Sequence, residues 1–289
     1  DAQYTACELP GLLTFAKCRV ILTTSTLRPI IETVLPRTPV RKVVLIDGAS
    51  PLFESPPLDP PPTLDPKSLL ALIYTSGTTG EPKAVRLSLG AVESNIKDMM
   101  RLRMIRASDN VLSLLPLHHC YALTVTVLAP LATGCCTTFC ASLRGPDILR
   151  VTRETGVTVL PGVPKLLEGF DRALAARLDS LPPFRRGVFR LLRAVSRFVR
   201  RKTGLNLGSL FFRSIRKGFS PRFRFFTSGG AKLDANITSR FLDLGLKIIE
   251  GYGLSETSPV LTFNPLNRPK PGSVGLPLPS VKVRIDAPD

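Results

Sequence analysis

Leu69-Leu70-Ala71-Leu72-Ile73-Tyr74-Thr75-Ser76-Gly77-Thr78-Thr79-Gly80-Glu81-Pro82-Lys83-Ala84-Val85 runs from apolar residues straight into glycines, hydroxyls and one lysine. The apolar run predicts a buried strand over Leu69–Tyr74, and the residues after Tyr74 have the composition of a loop that holds polyphosphate. Gly77 and Gly80 can take backbone angles closed to other residues and let a ligand approach the main chain. Successive N–H groups then form an anion-binding concavity. Thr75, Ser76, Thr78 and Thr79 add hydroxyl donors, and Lys83 supplies a point charge for a terminal phosphate. The loop is not a Walker A motif, because no lysine directly follows the second glycine. A solvated Ser/Thr/Gly turn between two strands explains the same composition. On this stretch alone the two readings stand level.

Further along, Gly251-Tyr252-Gly253-Leu254-Ser255-Glu256-Thr257 follows the apolar run Leu246–Ile249 and sets an aromatic, a hydroxyl and a carboxylate at one strand end. Ser228-Gly229-Gly230-Ala231 follows the strand Phe223–Phe226 in the same way. Three such loops at C-terminal strand ends suit an open α/β sheet, where ligands sit at that edge.

The spacing of apolar residues predicts that alternation. Strands are expected at Asn110–Leu115, Cys135–Phe139, Thr158–Leu160, Arg222–Phe226 and Lys247–Ile249 as well. Helices are expected at Gly90–Arg103, Tyr121–Leu131, Asp147–Thr155, Pro164–Leu178, Phe184–Arg201 and Asp234–Leu244. Such an order argues for an α/β fold with mostly parallel sheets flanked by helices. Residues 1–50 read as part of a first α/β subdomain, with strands at Arg19–Leu22 and Lys42–Ile46 and helices at Thr5–Phe15 and Leu27–Val34. The proline-dense stretch 51–66 reads as a surface crossing. Residues 67–264 form the main α/β subdomain with a basic amphipathic insertion at 181–220. Residues 265–289 read as the start of a small β subdomain.

The three loops, in this order and at this spacing, resemble the adenylate-forming superfamily of acyl-CoA synthetases, nonribosomal-peptide adenylation domains and beetle luciferases. The resemblance covers nearly the whole chain. It implies an AMP-forming acid–thiol ligase: a carboxylate is activated with ATP to an acyl-AMP, pyrophosphate leaves, and coenzyme A takes the acyl group. By motif position, Thr75–Lys83 is similar to the pyrophosphate cradle and Glu256 to the Mg²⁺-binding glutamate. Ser255 stands where a threonine usually faces the α-phosphate, and Tyr252 matches the aromatic against adenine, with Gly253 beside it. Ser228, Gly229, Gly230 and Ala231 match the backbone that lines the base. Lys83, Glu256 and His119 are thus the expected catalytic set. A solvated carboxylate is the plain alternative for Glu256. In Leu115-Pro116-Leu117-His118-His119-Cys120-Tyr121, His119 aligns with a histidine beside the acyl carboxylate and His118 reads as a packing residue; a core histidine is the alternative for His119 too. The sequence departs from the family pattern at Ala84, usually glycine, and at Ser88-Leu89, often Thr-His. Set beside the family, the chain is expected to lack α/β structure before Asp1 and, after Asp289, the ribose-binding aspartate and a mobile lid with a catalytic lysine. The chain alone is then expected to be incomplete for full turnover.

Composition sets the outer limits. The 289 residues carry 44% hydrophobic and 21% charged side chains, an ordinary globular balance, but a net charge of +17. That charge implies an anionic partner: nucleotide, coenzyme A, lipid headgroups or nucleic acid; no RNA- or DNA-binding motif is present, so no nucleic acid partner is expected. Six cysteines without C-x-x-C spacing, and only two histidines, argue against a structural metal and for free thiols in a reducing cytoplasm. Val111–Gly134 approaches the length of a membrane span but is interrupted by Pro116, His118, His119 and Pro130, so a cytoplasmic or peripheral protein is expected.

From Leu181 to Leu233 there is no acidic residue. Arg185, Arg186, Arg190, Arg193, Arg197, Arg200, Arg201 and Lys202 share one expected helix with Phe184, Val188, Leu191, Leu192, Val195, Phe198 and Val199. An amphipathic basic helix over 184–202 can lie on an anionic membrane at the inner face; a core-packed helix with a solvated arginine face is the alternative. An insertion at this place is similar to long-chain fatty acyl-CoA synthetases, which implies a fatty acid substrate. A fatty-acyl-AMP or acyl-carrier-protein ligase remains open, as does a catalytically impaired basic lipid- or nucleotide-binding relative.

Overall fold

The computed structural model describes residues 4–48, 56, 59–60, 63–76 and 82–286. The chain divides into two compact units, Asp1–Asp65 and Pro66–Asp289. In the smaller, strands β1 (Val20–Thr23) and β2 (Lys42–Leu45) pair in parallel, Val20 opposite Lys42. Helices α1 (Leu9–Phe15) and α2 (Arg28–Val34) complete it, each with a proline in its first turn, where a missing N–H costs nothing.

The larger unit opens with β3 (Leu69–Ser76) and β4 (Pro82–Ser88), an antiparallel pair with Thr75 opposite Lys83. Sequence spacing predicts the first strand but not the second, because Pro82-Lys83 opens it and its apolar positions, Val85 and Leu87, are few. Next come α3 (Leu89–Arg101), β5 (Asn110–Ser113) and a helical segment, α4, running from Cys120 to Thr133 with a π-helical stretch at Thr124–Leu128. β6 (Cys136–Phe139), α5 (Gly145–Glu154), β7 (Val159–Gly162), α6 (Pro164–Asp179) and α7 (Pro183–Thr203) follow. Then come α8 (Gly208–Phe211), α9 (Arg213–Phe219), β8 (Phe225–Ser228), α10 (Ala235–Asp243) and β9 (Ile248–Tyr252). Two short strands, β10 (Thr262–Phe263) and β11 (Leu276–Pro277), end the series.

Among the described residues the main sheet has seven strands in the order β11-β10-β9-β8-β7-β5-β6. β6, β5, β7, β8 and β9 are parallel, and β10 and β11 are antiparallel at one edge. The central strands β5, β7, β8 and β9 bury apolar side chains on both faces, as a parallel sheet covered on both sides requires, whereas the edge strand β6 stays partly exposed. Val111, Val159, Phe225 and Ile249 turn to one core with α3 and α4. Their neighbours Leu112, Leu160, Phe226 and Ile248 turn to the other, with α5, α6 and α10. At the N-terminal ends of β5, β7 and β8, buried Asp109 pairs with Arg224 and accepts from the Thr158 hydroxyl at 2.8 Å. That lock ties three strands together at the edge opposite their C-terminal loops.

Candidate functional site

The order β6-β5-β7-β8-β9 reverses direction between β5 and β7, since β6 is added on one side of β5 and β7 on the other. A switch point of this kind leaves a crevice beyond the strands' C-terminal ends. Into it run the segments after Ser113, Gly162, Ser228 and Tyr252.

After β5 the chain reaches His118 and His119, whose ring centroids are 4.3 Å apart. His119 is exposed and occupies the cap position of α4. His118 is half-buried, and its burial, followed by the charge of His119, lowers its proton affinity. Burial raises the Cys120 thiol, which suits a packing residue rather than a nucleophile. Tyr121 reaches across β7 to β8: its hydroxyl lies 2.6 Å from that of Thr227. A methyl group on Gly229 would meet the Tyr121 ring at 3.3 Å, so the glycine lets the ring lie close to the backbone.

The loop Ser228–Ala231 links β8 to α10. Gly229 donates its N–H to Gly162 O at 3.3 Å, and Gly230 takes a left-handed φ of +83°. Leu233 is buried and Asp234 caps α10 through the Asn236 N–H at 2.8 Å, so both ends of the loop are fixed. The Ser228 hydroxyl is buried and has no hydrogen-bond partner. Since such groups are normally satisfied, a donor or acceptor is missing here.

β9 ends in Tyr252, which is 47% exposed. A Cβ on Gly253 would lie 1.7 Å from Pro259 O, so this position takes glycine because the loop folds back on itself. A 3-10 turn at Ser255–Thr257 follows, held by Thr257, whose hydroxyl accepts from Leu254 N at 2.8 Å. Glu256 projects from this turn, exposed and without ion pair or hydrogen bond among the described residues. β4 packs against the same turn. Lys83, at its start, is exposed, and its carbonyl accepts from the Thr75 hydroxyl at 3.4 Å. Gly77, Thr78, Thr79 and Gly80 lie outside the described residues, as does the side chain of Ser76.

Three residues of this region escape a reading of the sequence. Tyr121 and Thr227 form the bridge over β7, and nothing in local spacing pairs residues 106 positions apart. Glu250, directly before the Gly-Tyr-Gly motif, is buried in register with Ser228 and accepts from the Thr238 hydroxyl at 2.9 Å. Burial raises its pKa, offset by Thr238 and the Gly272 N–H. Beneath Thr227 lies a small apolar hollow of about 20 Å³, with Met99, Met104, Val125 and Phe263 around it.

The whole chain, residues 1–289, matches the AMP-binding enzyme family. It is 28% identical to the long-chain-fatty-acid–CoA ligase FadD15 of Mycobacterium bovis, over 85% of this chain and 44% of that protein. Against the long-chain-fatty-acid–CoA ligase 2 of Schizosaccharomyces pombe the identity is 26%, over 90% of this chain and 39% of that protein. The chain thus spans less than half the length of these relatives. Among solved structures, ATP-bound MatB from Rhodopseudomonas palustris superposes with a TM-score of 0.69 at 24% identity, over 96% of this chain and 48% of that one, a likeness of fold.

Proposed function

Because the chain belongs to the AMP-binding enzyme family, we propose that it forms the nucleotide- and acid-binding part of an AMP-forming ligase for long-chain fatty acids. A carboxylate oxygen of the acid attacks the α-phosphorus of ATP, and the bond to pyrophosphate breaks. The acyl-AMP is then attacked by the thiol of coenzyme A, with AMP as leaving group. Charge neutralisation and alignment supply most of such catalysis. Lys83 answers the charge of the departing phosphates, Tyr252 lies against the base, and Ser255 donates to the α-phosphate. The Ser228–Ala231 backbone lines the base, and His119 lies beside the acid.

What supports this reading is the placement of groups without ionic partners among the described residues: β4, which carries Lys83 as its second residue, packs against the turn bearing Glu256, one strand end from the unsatisfied hydroxyl of Ser228. A phosphate-rich ligand offers partners to Lys83 and Ser228, and a cation carried with it answers the Glu256 carboxylate. The donor set also fits Mg²⁺. No three His, Cys, Asp or Glu side chains gather into a metal cage among the described residues. Glu256 instead offers a free carboxylate that suits an ion shared with waters and phosphates. Mg²⁺ bound there would neutralise charge on the leaving pyrophosphate.

For the acid, relatives named as long-chain-fatty-acid–CoA ligases support an alkyl chain over a polar one. The test is pyrophosphate exchange into ATP by the full-length protein, profiled over acid chain length. Exchange driven by long-chain acids is expected; exchange driven only by acetate or amino acids, or none with any acid, overturns the reading.

A further inference from the structure

Helix α7 does not bury all of its apolar residues. Phe189, Leu192, Ser196 and Val199 turn toward the protein, Phe189 packing against Phe212 with ring centroids 4.9 Å apart. Phe184, Val188, Leu191, Val195 and Phe198 stay exposed, at 80%, 41%, 64%, 39% and 64%. Their steps of four and three residues draw one line along the helix, within an arc of about 80° and about 21 Å long.

The helix is fastened so that this line faces out. The Ser196 hydroxyl donates to Asp243 O at 2.8 Å. Arg197 and Arg200 hold the fully buried Asp243 carboxylate at 2.8 and 2.7 Å. With the opposite side locked to the end of α10, α7 cannot roll its oily line inward. Of the six other cations, Arg186 donates to Asp179 O and Leu181 O at 2.6 and 3.1 Å, while Arg185, Arg190, Arg193, Arg201 and Lys202 make no ion pair among the described residues. At 3.6 residues per turn, Arg201 and Arg190 lie about 60° and 80° beyond one edge of the line, with only the small Gly187 and Ala194 between, and Lys202, four residues past Phe198, extends it.

We propose that α7 is a docking ridge for an anionic lipid bilayer, lying flat with Phe184, Leu191 and Phe198 in the acyl boundary and its cations on the lipid phosphates. Charge decides the occupant. A second copy of this chain, itself +17 overall, would set arginine against arginine, because the stretch from Leu181 to Leu233 carries no acid. A neutral apolar partner leaves the cations unanswered. An anionic bilayer answers both features and needs no complementary groove. This proposal rests on α7 alone and is independent of the nucleotide site.

The test is flotation of the 289-residue chain with vesicles of phosphatidylcholine alone, or mixed with phosphatidylglycerol, at low and high salt. Binding is expected to the anionic vesicles at low salt and to weaken about tenfold or more at high salt. Leu191→Ser with Phe198→Ser should reduce it about 100-fold. Arg190→Gln with Arg201→Gln should reduce it about 25-fold, about fivefold for each charge. Both pairs are exposed, and circular dichroism checks that each variant folds. Equal binding to neutral vesicles, no binding, or a Leu191/Phe198 variant that floats like wild type overturns the proposal. So does a lipid-free dimer that this variant dissociates, which would make the ridge a contact between copies. ATP binding by the same preparations is read separately, so a failed nucleotide site and a failed ridge give different results.

Discussion

The hydroxyls of Tyr121 and Thr227 meet at 2.6 Å across the end of β7, roofing the crevice where the strand order reverses. Thr227 is almost wholly buried, and Tyr121 is its hydrogen-bond partner. Tyr121→Phe therefore leaves a hydroxyl unsatisfied and should cost about 1–2 kcal/mol, read as a lower urea midpoint at unchanged slope. Burial pushes the phenol from 10 up to about 12. Below pH 10 this has no effect on stability. Between 10 and 12 the unfolded chain releases its proton first, so stability falls as pH rises, and Tyr121→Phe should flatten that slope. An unchanged alkaline slope would remove the bridge from the account.

Glu256→Gln tests the exposed carboxylate of the Ser255–Thr257 turn. The amide keeps size and polarity but loses the charge that holds a hard cation. In the full-length protein, fatty-acid-driven pyrophosphate exchange should fall about 100-fold or more, with ATP affinity falling far less. Near-normal exchange would return Glu256 to a solvated surface carboxylate.

Glu250 gives a prediction of opposite sense, because its charge is unwelcome. Burial raises its pKa above 4.5. As pH climbs past that value the unfolded chain ionises first, so stability is lost until the folded carboxyl also ionises, and the loss persists above. Glu250→Gln keeps an acceptor for the Thr238 hydroxyl and removes the cost. It should be more stable than wild type at pH 7 and no more stable at pH 4. Urea unfolding at the two pH values checks this; a variant weaker at pH 7 would mean the charge has a partner it needs.

Parallel strands were the most legible elements, since Val111-Leu112, Leu160 and Phe225-Phe226 are apolar on both faces and bounded by polar or glycine punctuation. The antiparallel β4 was hidden because its start, Pro82-Lys83, looks like loop chemistry. The position of the Ser228–Ala231 and Tyr252–Glu256 motifs after strands is legible for the same reason the strands are: each follows an apolar run. Partners distant in sequence were not. The Tyr121–Thr227 bridge and the burial of Glu250 depend on strand order, and no local pattern encodes that β7 lies between β5 and β8. Helix α7 is intermediate. Its period showed a single oily face, but only the lock at Asp243 divides that face into a buried half and an exposed half.

That lock supplies the last prediction. Asp243 is fully buried, accepts from Arg197 and Arg200, and gives its carbonyl to Ser196. Asp243→Ala leaves two guanidinium groups facing each other without a counter-charge, and Arg200 keeps only 18% of its side chain exposed. Breaking a buried pair from one side costs about 3–5 kcal/mol. Arg197, 40% exposed, can rehydrate, which places the expected loss near the lower end, about 3 kcal/mol. Asp243→Asn keeps an acceptor and should lose less. Because the pair is shielded, the difference between wild type and Asp243→Ala should barely change between low and high salt, unlike that of a surface pair. Chemical denaturation of the three proteins at two salt concentrations measures all of this. A loss below about 1 kcal/mol, the size of a surface pair, would mean that α7 is held mainly by Phe189 and Phe212 and that Asp243 only orients it.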